Sequence, residues 1–329
     1  MKQFEKIGRN LLSQGGWSAG FLKRCLDWYE SIYGPIYAQR HHRQSVMRGR
    51  SVIQGLSQIK QRWPDIQSHE EQAPVFILSA GWRSGSTLMQ RLIMSKQSIL
   101  VWGEPYSHAR VINHLADVVS SITDSWPQDE WFIDQYDLNN LKSTFVANMY
   151  PPVSDMQQGC LAYLKAMLEV PARERGFERW GLKDVRLTIE DAHFLKWLFP
   201  NAKFIFLCRN PYNAYKSYRL DRSWYFEWPN KPVFTASEFG RNWNELAKGF
   251  YEGASDLGGI FIRYEDLVSG SIDHDALEKY LELEIDTSLL GKKVGSHHKS
   301  GEDLPACELK QLRKEVQHMA NILDYRYIE

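Results

Sequence analysis

The stretch VFILSAGWRSGSTLMQRLI, residues 75 to 93, limits the fold more than any other part of the chain. Its opening run, VFILSA, is apolar without alternation and too short for a buried helix, so it predicts a strand covered on both faces, as in a parallel sheet. Leu88, Met89, Leu92 and Ile93 then recur at helical spacing, with Gly81 and Gly85 marking a tight turn between strand and helix. Further short apolar runs at 99 to 102 (ILVW), 179 to 182 (RWGL), 203 to 208 (KFIFLC) and 259 to 264 (GIFIRY) are separated by helical patterns, the signature of βαβ units. The predicted fold class is α/β: a P-loop-like parallel β-sheet flanked by helices, with an N-terminal helical extension.

That extension spans residues 1 to 73. Phe21, Leu22, Cys25, Leu26, Tyr29 and Ile32 fall at helical spacing, as do Val52, Ile53, Leu56 and Ile59, while Arg40, His41, His42, Arg43, Arg48 and Arg50 between them read as a solvated helix face. Residues 64 to 74 read as a polar linker. Two intervals, 123 to 158 and 222 to 235, break the strand–helix rhythm and hold Trp126, Trp131, Trp224, Tyr225, Phe226 and Trp228, predicted as walls for a substrate. Leu309, Leu312, Val316, Met319 and Leu323 form the stripe of a closing amphipathic helix.

Lys plus Arg equals Asp plus Glu at 40 each, so no overall field draws the protein to nucleic acid or an anionic membrane, and any anion site must be local. The four cysteines, Cys25, Cys160, Cys208 and Cys307, form no CxxC pair and suit a reducing compartment. With no apolar run long enough for a signal peptide or an integral membrane segment, the expected location is cytoplasmic. Nothing in the pattern speaks to oligomeric state.

A strand entering a helix through a glycine turn converges backbone N–H groups and the positive helix end on one point, where an anion is held. Gly81 and Gly85 permit close approach, and Ser84, Ser86 and Thr87 add hydroxyls. The Walker A pattern is not met: Ser86 and Thr87 follow Gly85 with no lysine between, and the charge comes from Arg83 instead. Where a later NTPase strand ends in an aspartate for Mg²⁺, KFIFLC ends in Arg209, which favours a metal-free anion. From Arg209, RNPYNAYKSY leads to Ser217, a spacing that sets a guanidinium and a hydroxyl on either side of a second phosphate.

These residues resemble the sulfotransferases that use 3′-phosphoadenosine 5′-phosphosulfate (PAPS). WRSGSTL is similar to their 5′-phosphosulfate loop, and Arg209 with Ser217 to their 3′-phosphate motif. GEPYSHARVI from Gly103 and GLKDVRLTIEDAHFLKWLFPNAKFIFLCRNP from Gly181 resemble the tyrosylprotein and carbohydrate branch, and YEDL at Tyr264 also recurs in the family. The resemblance implies a sulfotransferase domain over residues 74 to 329, PAPS as donor and no metal. It implies a donor site of Arg83, Ser84, Gly85, Ser86, Thr87, Arg209 and Ser217, with Lys293 and Gly295 in a late basic loop that closes over the 3′-phosphate.

Sulfuryl transfer needs positive charge at the leaving oxygen, for which Arg83 and Lys183 are the candidates, and a base for the acceptor proton. Glu104, directly after ILVW, is expected at the carboxyl end of a strand, the edge where open parallel sheets bind ligands. His108, four residues on, is the alternative base, while the alternative role for Lys183 is a strand-end salt bridge with Asp184. The expected acceptor is a hydroxyl or amine of a carbohydrate or small specialised metabolite. Two other classes stay open: a degenerate P-loop kinase or NTPase, and a non-catalytic nucleotide-binding module.

Overall fold

The computed structural model describes residues 51–106, 109–219, 233–291 and 303–327. The predicted helix over 17 to 33, the basic interval after it, and Trp224, Tyr225, Phe226 and Trp228 lie outside the described residues. The chain divides into two units, Met1–Ser51 and Val52–Glu329, and every element named here belongs to the second.

Five parallel strands, β1 Val75–Ser79, β2 Ile99–Gly103, β3 Arg179–Asp184, β4 Lys203–Cys208 and β5 Ile260–Arg263, lie in the order β2-β3-β1-β4-β5. Each grows from one of the apolar runs. Between and after them come α1 Val52–Arg62, α2 Ser86–Ile93, α3 Val111–Ser120, α4 Val153–Leu164, α5 Ile189–Leu198, α6 Pro211–Arg219, α7 Ala236–Gly253, α8 Tyr264–Ser269, α9 His274–Leu281 and α10 Ala306–Ile322. The period-2 alternation of a strand splits the core in two. Phe76, Leu78, Trp180, Leu182, Phe204 and Phe206 point to the side covered by α1, α3 to α7 and α10. Val75, Ile77, Val101, Ile205, Leu207 and Ile262 point to the side covered by α2, α8 and α9.

Side-chain caps set where several helices begin. Thr188 and Asp191 form a reciprocal capping box at α5, and Thr235 and Glu238 form another at α7. The interval predicted as irregular to 158 ends sooner, because α4 starts at Val153 directly after Pro152, a residue that favours a helix start. The part that stays irregular is held by Arg62 at the end of α1. Its guanidinium donates to the carbonyls of Thr123 (2.8 Å), Trp126 (3.0 Å) and Pro127, and pairs with Asp129 at 2.7 Å. In the same interval Trp126 and Trp131 meet edge to face at 4.9 Å, and Trp131 meets Tyr150 at 5.9 Å.

Chain direction makes the site. β1 runs into α2 on one side of the sheet, whereas its neighbours β3 and β4 run into α5 and α6 on the other. Connections that part in opposite directions open a crevice at the carboxyl edge, the place where ligands bind in doubly wound sheets.

Candidate active site

The loop after β1 sits at that crevice and has an unusual backbone. Gly81 (φ 80°), Arg83 (φ 61°) and Gly85 (φ 87°) all take left-handed conformations. For arginine this costs on the order of 1 kcal/mol, and such strain persists only where surroundings over-determine it. Here two hydrogen bonds do so. Arg83 Nε donates to Ser217 Oγ at 2.9 Å, and Arg209 Nη1 donates to the Arg83 carbonyl at 2.9 Å. Residues 134 and 126 positions apart in sequence are thereby joined, because β4 lies beside β1 and delivers Arg209 next to the loop.

The loop's donors divide by direction. Ser84 is buried and its hydroxyl donates back to the Gly81 carbonyl at 3.0 Å, so it closes the turn. The backbone N–H groups of Gly85, Ser86 and Thr87, at the start of α2, find no acceptor among the described residues. Ser86 is buried and Thr87 exposed. Arg209 Nε is likewise buried without an acceptor among the described residues. Burial, aided by the positive Arg83 beside it, lowers the pKa of the Arg209 guanidinium, while Tyr264 and Glu265 oppose the shift. Unfilled N–H donors beside clustered positive charge fit an anionic ligand.

A second cluster lies at the ends of β2 and β3. Gly103 pairs with Lys183 in the ladder, so the next residue, Glu104, turns its carboxylate onto the Lys183 ammonium at 2.5 Å. Arg186 Nη2 reaches the other carboxylate oxygen at 3.3 Å. The strand-end salt bridge considered for Lys183 and Asp184 does not form: β3 continues through Asp184, and consecutive strand residues face opposite ways. Asp184 instead accepts the Arg186 backbone N–H at 2.7 Å. Burial, followed by the negative Glu104, pushes the Asp184 carboxyl up to about 6, with Arg186 and Lys183 opposing the rise. Burial also brings Arg186 down to about 10 against the pull of Asp184 and Glu104. Beside them a cavity of about 20 Å³, lined in part by Arg110, Asn113, Asp184 and Arg186, has room for one water.

Register sets both clusters on one sheet edge, since Lys183 is the ladder partner of Ile77, just before the loop. His108, Lys293 and Gly295 lie outside the described residues. Arg186 and Asp184 were not among the residues expected at the site, and their one legible signal in the sequence is the charged tail of GLKDVR after an apolar run.

A family model described as "Sulfotransferase family" matches residues 74–286. The chain belongs to the sulfotransferase family. The match is made at family level and does not separate branches. Family membership supports sulfuryl transfer over the kinase and binding-module alternatives. No curated protein matches the sequence. Among solved structures, the chain is similar to the sulfotransferase domain from the Synechococcus PCC 7002 olefin synthase, at 17% identity and TM-score 0.41, covering 80% of this chain and 99% of that one. The sulfotransferase domain from the curacin biosynthetic pathway gives 17% identity and TM-score 0.42 over 78% and 99%. Sulfotransferase STF9 from Mycobacterium avium gives 13% and 0.39 over 84% and 82%. Among the described residues of this sulfotransferase, no helix is long and apolar enough to cross a membrane, and no group of three His, Cys, Asp or Glu could hold a metal ion.

Proposed function

We propose that this sulfotransferase moves a sulfuryl group from PAPS to a hydroxyl or amine of a carbohydrate or small metabolite. The observation that carries the reading is the pair of 2.9 Å hydrogen bonds that tie Arg83 to Ser217 and Arg209 to Arg83. Two positive motifs so joined suit a ligand with two anionic ends. In this reading the N–H groups of Gly85, Ser86 and Thr87 hold the 5′ end, and Arg209 with Ser217 holds the 3′-phosphate. Lys293 and Gly295 are further proposed contacts of that phosphate.

The donor, when bound, supplies the sulfuryl group and its phosphate leaving group. Glu104 takes the acceptor proton. A carboxylate oxygen accepts more than one hydrogen bond, so Glu104 can receive an acceptor O–H or N–H while it stays paired with Lys183 and Arg186. Lys183 and Arg83 neutralise charge on the departing oxygen. On the acceptor side, Trp126 is 42% exposed and offers an apolar face of the kind that packs on a sugar ring.

A thermal-shift measurement tests the donor. Adenosine 3′,5′-bisphosphate without metal should stabilise the protein by about 2.7 kcal/mol at a hundredfold excess over its Kd, and ATP with Mg²⁺ should do far less. The reverse order would overturn the reading.

A further inference from the structure

We infer that the free edge of β5 is a docking site for an extended segment of another protein, an apolar run matched to the four residues of β5 with a Lys or Arg beyond it, added alongside as a further strand. β5 ends the strand order and has β4 on one side only. Every second residue of such a strand turns its N–H and C=O away from the ladder. At the opposite edge of the sheet Gln90 donates its side-chain amide to the Val101 carbonyl of β2 at 2.8 Å. Among the described residues, the backbone groups of Ile260, Phe261 and Ile262 bond to nothing but β4. The strand, IFIR, holds neither the lysine nor the proline that often blunts an exposed edge, and its register against β4 runs unbroken.

This edge lies in a groove of about 400 Å³, within the size range of ligand sites. Tyr251 near the end of α7, with Ile322 and Leu323 at the end of α10, lines it on one face of the sheet, and Ile272, between α8 and α9, lines it on the other. Tyr251 meets Phe261 edge to face at 5.7 Å yet stays 49% exposed, and Ile322 is 46% exposed. Apolar side chains left half in water beside unfilled backbone groups mark a surface that gains by being covered. An added strand turns alternate side chains to the two faces, and apolar residues suit both sets.

Charge favours a foreign segment over a second copy of this chain. Arg263, at the carboxyl end of the groove, is satisfied within the protein: Nε and Nη2 each donate to Asp266 at 2.7 Å, and Nη1 donates to the Leu323 carbonyl at 3.0 Å. The groove keeps the carboxylate of Asp324, which meets Arg326 at 3.4 Å with both side chains open to water. Glu252 and Asp273 directly follow the lining residues Tyr251 and Ile272 and are exposed, with Lys248 no nearer to Glu252 than 4.0 Å. Exposed pairs of this kind are weak. Two copies joined edge to edge would bring these carboxylates toward one another, whereas basic residues flanking an apolar run complement them.

The test is fluorescence anisotropy on the full chain with a labelled peptide, Lys-Lys-Val-Ile-Val-Ile-Lys-Lys, as the probe. It should bind at least about tenfold more tightly than the same peptide with Glu in place of Lys. N-methylation of alternate residues in the apolar run should weaken binding about tenfold in one phase and little in the other, because only every second N–H faces the sheet. Ile322→Lys, a change at an exposed position, should weaken binding about tenfold by placing like charge in the groove. Sedimentation velocity of the protein alone should show no dimer that Ile322→Lys dissociates. Absence of peptide binding, equal affinity for the Lys and Glu peptides, the same response to both N-methylation phases, wild-type affinity in Ile322→Lys, or a dimer that this substitution breaks would each overturn the inference.

Discussion

Replacing Asp184 by Asn removes one buried titration and leaves an oxygen to accept the Arg186 N–H, so it isolates the electrostatics of the Glu104 cluster. The carboxyl is raised from 3.8 to about 6, chiefly by burial and then by Glu104. At 1.36 kcal/mol per pKa unit this amounts to about 3 kcal/mol. Because the folded state holds the proton more tightly than the unfolded chain, the contribution is fully present below pH 3.8 and is lost as pH rises through about 6. About 2 kcal/mol of that loss falls between roughly pH 4.5 and 7.5. Other carboxylates titrate in the same window, so the quantity to measure is the difference in unfolding free energy between wild type and Asp184→Asn, by urea denaturation at a series of pH values. Asp184→Asn should gain on the wild type by about 2 kcal/mol across that range. In a Glu104→Gln background the transition should move to lower pH, since the second cause of the rise is gone. A difference that stays flat with pH, or that moves in favour of the wild type as pH rises, would refute the account of Asp184 as a buried, proton-holding carboxyl.

Glu104→Gln should lower turnover on the order of a hundredfold or more while keeping affinity for the bisphosphate; full activity in an acceptor assay would pass the base role to another residue. Ser217→Ala removes the acceptor of Arg83 Nε and should raise the donor KM on the order of tenfold, read from initial rates. Gly85→Ala meets both a φ of 87° and the Tyr264 ring, and should cost on the order of 1–3 kcal/mol in denaturant unfolding. Arg62→Ala strips the hydrogen bonds from the carbonyls of Thr123, Trp126 and Pro127, and limited proteolysis should cut this interval faster than in the wild type.

Runs such as VFILS and KFIFLC announced the sheet because a strand buried on both faces has no room for polar residues, a property visible in any short window of sequence. The glycine loop was legible for the same local reason, as was the placing of Glu104 just past a strand end. The partner of Lys183 was not. Adjacency in sequence suggested Asp184, while the alternation of the strand and the pairing of Gly103 with Lys183 brought Glu104 instead. Nor did any motif say that YEDL would stand between the two anion loops, or that Arg186 would share Glu104.

From sequence alone came the elements, the positive residues and the edge of the sheet where they gather, since each depends on periodicity and composition within a few residues. Tertiary structure decided which of those residues meet. Arg83, Arg209 and Tyr264 come together because β1, β4 and β5 are consecutive in the sheet, and Glu104, Lys183 and Arg186 because β2 and β3 are. Strand order is set by how helices pack over the whole core, a property that no short stretch of the chain carries.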